Sequence, residues 1–164
     1  MAATIPAGRL QLTEIAGRQD AAMTRLSSSV ELEAGLRALI DVRASQVNGC
    51  AFCVDMHWKD ARADGETEER LYMLSAWRES SLYSERERVA LALCEAMTRI
   101  ADDDVSDRLW DRVATTFDAP EQAQLVVAIT AINAWNRLCI ATRAEPGHYE
   151  PGMFAARERV GAGH

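Results

Sequence analysis

The chain has 164 residues, with 18 Lys and Arg against 25 Asp and Glu and a net charge of −7. That length suits one domain with a substantial core and is too short for two of ordinary size, so residues 1–164 read as a single unit. An acidic balance without a basic patch argues against nucleic acid or an anionic membrane surface as partner.

Residues 1–12 contain an early Pro and Gly and read as an extended arm, suited to lie on a neighbouring subunit. Thr13 is placed to cap a helix running to about Ser29, with Ile15, Ala22, Met23, Leu26 and Val30 as its apolar stripe. Leu32, Leu36, Leu39, Ile40 and Val47 keep helical spacing in a second helix, which stops at Asn48 and Gly49 because glycine accepts the left-handed conformation that ends helices. A third helix starts at once, with Cys50 in its first turn, and runs to Gly65. Thr67 opens a short fourth helix to about Ala76, and Trp77 begins an irregular connection whose aromatic rings cover a core edge.

Ser84 with Glu87 forms a capping box for the fifth helix, marked by Val89, Ala90, Leu93, Ala96, Met97 and Ile100. The acidic run 101–104 breaks it. A sixth helix spans about Ser106 to Phe117, and a seventh opens with Pro120 in its first turn and reaches about Thr142. From Leu125 to Ile140 the seventh is apolar on nearly every side, which predicts a central helix or one wedged into a subunit interface. Asn133, Trp135 and Asn136 within it read as a packed indole with satisfied amides. Residues 144–164, with two Pro-Gly steps, read as a tail, and neither His148 nor His164 has a partner pattern. Strand signals are absent, so the fold class is all-α, a bundle of about seven helices.

No apolar stretch follows a basic start in the first thirty residues, and the longest later run, Leu125 to Ile132, is too short to span a bilayer. The expectation is a cytoplasmic protein. In a reducing compartment the four cysteines are expected as one redox or metal pair and two bystanders rather than as structural disulfides.

The stretch from Arg43 to His57 combines reactive side chains with a mechanical reason for their spacing. On a helix, Cys50 and Cys53 are three apart and Cys53 and His57 four apart, so all three share a face. The helix N-terminus favours a thiolate, and Cα atoms at i and i+3 lie roughly 5 to 6 Å apart, within reach of a disulfide. His57 is suited to exchanging protons with a thiol or a leaving group. Zinc must be weighed first, because C-x-x-C-x-x-x-H offers three ligands. The fourth is the difficulty: Cys94 and Cys139 lie in apolar runs and read as buried small hydrophobes, so the site is expected to hold no metal.

Residues 43–57 closely resemble the core motif of the AhpD-like, carboxymuconolactone decarboxylase superfamily. The runs 84–93 and 131–138 resemble its downstream helices, so the likeness covers residues 20 to 143. It implies an AhpD-like helical fold, a homo-oligomer (trimer or hexamer), and an alkylhydroperoxidase-like peroxidase cycle without metal or organic cofactor. By that likeness Cys53 is the peroxidatic thiol, Cys50 its resolving partner and His57 part of the proton relay. The substrate would be a peroxide, and a dithiol or lipoyl-type reductant would reset the disulfide.

Two departures stand out. The family's relay glutamate, twelve residues before the first cysteine, is Ala38 here, and the histidine that often precedes the second cysteine is Phe52. Asp41 is a candidate substitute, against the plainer reading of an exposed carboxylate; Glu87 and Glu95 are the other candidates. Two alternative readings are a decarboxylase-like lyase, against which the C-x-x-C pair counts, and a non-enzymatic, redox-sensing helical assembly.

Overall fold

Side-chain caps fix where several helices begin. Thr67, Ser84, Ser106 and Asp118 each accept a hydrogen bond from the backbone N–H three residues on. Losing such a cap typically costs about 1 kcal/mol. At Ser84 and Asp118 the bond is reciprocated by Glu87 and Glu121, completing two capping boxes.

The computed structural model describes residues 8–154. Residues 1–7 of the expected arm and 155–164 of the expected tail, including His164, lie outside the described residues. In chain order the helices are α1 (Leu12–Ile15), α2 (Gly17–Ser28), α3 (Ala34–Asn48), α4 (Ala51–Ala63), α5 (Glu68–Met73), a 3-10 helix (Leu74–Glu79), α6 (Glu85–Thr98), α7 (Asp107–Thr116) and α8 (Ala119–Thr142). No strand occurs among the described residues.

Among the described residues there are eight α-helices where about seven were expected, because the first divides at Ala16, whose φ of −126° and ψ of 43° leave the helical region before Gly17. The described end of the arm is tied to the end of α8. Arg9 N–H donates to Thr142 O at 2.8 Å, and the Arg9 guanidinium to Ala141 O at 3.1 Å.

The centre of the fold is α3. Leu36, Ile40 and Ala44 pack with Val89, Leu93, Val113, Phe117, Leu125 and Ile129 on one side. Leu39 and Val42 pack with Ala61, Leu71, Leu74, Trp77 and Leu91 on the other. A helix filling two cores has no solvent face to spare, which accounts for unbroken burial from Leu39 to Ser45. Each fully buried leucine contributes about 1.5–3 kcal/mol of transfer free energy.

By length and composition the 24-residue α8 is apolar enough to cross a membrane, contrary to the expectation from its longest apolar run. Core helices of globular proteins meet the same criterion, and Leu125, Ala128, Ile129, Ile132 and Asn136 form a buried stripe at helical spacing. The opposite side is less covered, with Thr130, Arg137 and Ala141 exposed.

Candidate thiol site

At the end of α3, Gly49 takes φ 70° and ψ 30°, and the N–H groups of Gly49 and Cys50 return to Gln46 O (3.2 Å) and Ser45 O (3.0 Å). This Schellman-type closure reverses the chain within one residue. A Cβ on Gly49 would meet no atom within 4 Å, so backbone conformation alone calls for glycine.

Cys50 is the N-cap of α4 rather than a member of its first turn: its φ of −82° and ψ of 96° are extended, and Ala51 is the first helical residue. Cys53 is therefore at N3. An N-cap side chain folds back over N3, as in a capping box, and here it brings two sulfurs to 2.7 Å from each other. Both cysteines are free thiols, each 1% exposed.

A third sulfur joins them. The Sγ atoms of Cys50, Cys53 and Cys139 all lie within 4.8 Å of one another, so Cys139 is not the bystander that its apolar surroundings suggested. A ladder of amides places it. Asn48 Nδ2 donates to Asn133 Oδ1 (3.0 Å) and Asn136 Oδ1 (2.8 Å), and Asn136 Nδ2 donates to Ser45 Oγ (3.0 Å). Asn133, Asn136 and Cys139 repeat every three residues on α8, a spacing that could have revealed the shared face. Cys94 does behave as a core residue: it is fully buried with its thiol near Ile40 O, and burial pushes its pKa up to about 12.

Charge is unevenly divided among the three sulfurs. Hydrogen bonding from the Cys139 thiol and then the Cys53 thiol holds Cys50 well below the ordinary thiol range, against the effect of burial. The Cys53 backbone amide and the charge of His57 act in the same direction, although the amide falls outside good hydrogen-bond geometry. Cys53 is pushed up by its bonds to Cys139 and Cys50, and Cys139 by its bond to Cys50, with burial adding to both. These directions favour the anion on Cys50, at the helix N-cap.

His57 lies one turn beyond Cys53, with Nδ1 3.9 Å from Asp41 Oδ2. Asp41 reaches it from α3 and is 5% exposed, so it is not the surface carboxylate of the plainer reading. Arg37 Nε donates to Asp41 Oδ2 at 2.7 Å, while Oδ1 is buried without a hydrogen-bond partner.

The other two candidate acids are engaged elsewhere. Glu87 accepts from Ser84 N–H in the capping box and pairs with Arg70, which together hold its carboxyl below the usual range against burial. Glu95 accepts from Trp77 Nε1 (2.8 Å), Arg43 Nε (2.7 Å) and Arg78. Burial pushes Glu95 up, and those three donors outweigh it and hold the carboxyl low. Glu87 and Glu95 are thus held by structural partners.

Three thiols suit a soft metal ion, yet structural zinc takes four ligands, and the cluster among the described residues offers three.

Residues 17–96 match the carboxymuconolactone decarboxylase family. The chain is 45% identical over 119 residues to the uncharacterized protein YdfG of Bacillus subtilis, which spans 73% of this chain and 81% of that protein. Its fold superposes with a TM-score of 0.84 and 36% identity on ATU0492 of Agrobacterium tumefaciens, a protein of unknown function described as a putative antioxidant defence protein AhpD. The match covers 87% of this chain and 100% of that one. The chain belongs to the AhpD-like, carboxymuconolactone decarboxylase superfamily.

The debrominase Bmp8 shares the superfamily fold with a TM-score of 0.71 at 18% identity, over 88% of this chain and 77% of that one. At the position where AhpD-like peroxidases are expected to carry their glutamate, Ala38 packs against the second core cluster, and Asp41 stands one turn further along α3. The all-helical AhpD-like architecture expected from the sequence is the one found.

Proposed function

We propose that this chain is a thiol-dependent peroxidase and disulfide oxidoreductase that reduces hydroperoxides through Cys50 and Cys53. The observation that carries the reading is the 2.7 Å approach of the two sulfurs across the N-cap and N3 of α4. A thiolate attacks the peroxide O–O bond, forming a sulfenic acid and expelling an alkoxide or hydroxide, which takes up a proton to leave as alcohol or water. The second thiol then displaces the sulfenic hydroxyl as water and closes the Cys50–Cys53 disulfide, limiting overoxidation. An external dithiol, of low molecular weight or lipoyl type, takes the disulfide back to two thiols and is itself oxidised.

The family likeness gives the attack to Cys53, whereas the resting charge favours Cys50. In this reading a proton exchanged between the adjacent sulfurs lets either present the anion. His57, backed by Asp41, is the proton carrier in this reading, standing in for the glutamate replaced by Ala38. Homo-oligomerisation, as a trimer or hexamer, belongs to the same proposal.

Adding cumene hydroperoxide to the reduced protein should remove two titratable thiols per chain and give an intramolecular disulfide, and Cys53→Ser should abolish turnover. Dimedone labelling of Cys50→Ser against Cys53→Ser identifies the sulfur that forms the sulfenic acid. Persistence of all thiols under excess hydroperoxide would refute the peroxidase reading.

A further inference from the structure

Both members of the dithiol are 1% exposed, while the third sulfur, Cys139, is only half-buried. We propose that Cys139 is the outer station of a three-sulfur relay, carrying the oxidised bond from the sealed pair to the surface of α8, where a dithiol reductant meets it. This rests on the dithiol reading above and adds a third thiol to it.

Geometry supplies the first argument. Exchange requires the attacking sulfur to approach a disulfide sulfur, and Cys139 Sγ is within 4.8 Å of both candidates. The second argument is how Cys139 is held. Asn136, one turn before it on the same face, is fully buried and bonded to Asn48 and Ser45 at the α3 end of the bend. The same bonds that fix the bend carrying Cys50 therefore fix the helix carrying Cys139.

The steps balance without a further oxidant. Once Cys50 and Cys53 are joined, Cys139 as a thiolate attacks Cys53; the Cys139–Cys53 bond forms, the Cys50–Cys53 bond breaks, and Cys50 leaves as a thiolate at the N-cap. The proton lost by Cys139 passes to the freed sulfur, and no electrons leave the protein. The external dithiol then attacks Cys139, releasing Cys53, and its second thiol closes a disulfide within the reductant, releasing Cys139. The reductant loses two electrons and the protein gains two.

Disulfide mapping of the full-length protein tests this, with diamide as oxidant so that the outcome does not depend on hydroperoxide being a substrate. In Cys50→Ser, diamide should join Cys53 to Cys139 within one chain; two thiols still titratable at these positions would overturn the relay. In Cys139→Ser, and equally in Cys139→Ala, reduction of the oxidised pair by dihydrolipoamide should slow by about tenfold or more. A rate equal to the parent's would also overturn it, as would stoichiometric zinc in the purified protein that is lost on replacing Cys139. If hydroperoxide leaves the thiols untouched yet diamide joins Cys53 to Cys139, the peroxidase reading fails while the relay stands.

Discussion

Asp41 and His57 face each other from two different helices, Oδ2 to Nδ1 at 3.9 Å, and the second carboxylate oxygen of Asp41 is buried without a hydrogen-bond partner. The separation exceeds a hydrogen bond, as is common in catalytic pairs before substrate arrives. If the two act as one proton carrier, Asp41→Asn and His57→Gln should each lower hydroperoxide turnover about 100-fold. The double variant should be little worse than either single one. Steady-state rates of the four proteins decide it: multiplicative losses would show that the residues act separately.

Glu95 makes a different prediction, because its partners are structural. Changing it to Gln leaves Arg43 buried without its counter-charge, which should destabilise the fold by about 3–5 kcal/mol. The pH dependence follows from the direction of its shift. The folded-state pKa is held below the unfolded value of about 4.3, so the stabilisation is present above that value and is lost as pH falls through the folded one. Urea unfolding between pH 3 and 7 should show a steeper acid decline for the parent than for Glu95→Gln, and parallel curves would contradict this.

Gly49 isolates a backbone effect. With φ at 70° and open space around a prospective Cβ, Gly49→Ala should cost about 1–2 kcal/mol, and Gly49→Asn less. Thermal unfolding should register a few degrees, about 2–4 °C per kcal/mol for a chain of this size. A neutral alanine would mean that the bend is not held in the left-handed region.

A thiolate on Cys50 would be directly observable. Because Cys50 is held low by sulfur donors, absorbance at 240 nm should report about one thiolate per chain at neutral pH, titrating away only in acid. Cys53→Ala removes one of those donors and should move the midpoint upward. An unchanged midpoint would locate the cause elsewhere.

Local features were legible in the sequence because the residues that make them are neighbours in it. Asn48 and Gly49 announce the bend, Ser84 and Glu87 the cap of α6, and Cys50 and Cys53 their own proximity. What stayed hidden depends on partners far along the chain. Arg43 and Glu95 are 52 residues apart, and nothing in either local pattern announces the other. Cys139 reads as an apolar helix residue until α8 is laid against α3 and α4. Composition marked α8 as a central or interface helix, and gave no sign that α3 is packed on both sides, because such packing leaves little trace in a single helix's periodicity. The capping box of Asp118 and Glu121 could have been recognised, since its spacing matches that of Ser84 and Glu87.

The amides between α3 and α8 also act as an alignment key. Sliding α8 by one turn would strip Asn48, Ser45 and Asn136 of one another inside the protein, at about 1–3 kcal/mol for each polar group stranded. Oily side chains alone tolerate such slippage far better. Every copy of the molecule is thereby steered to the same registration of the two helices, and a sulfur far down the chain comes to rest beside the other two.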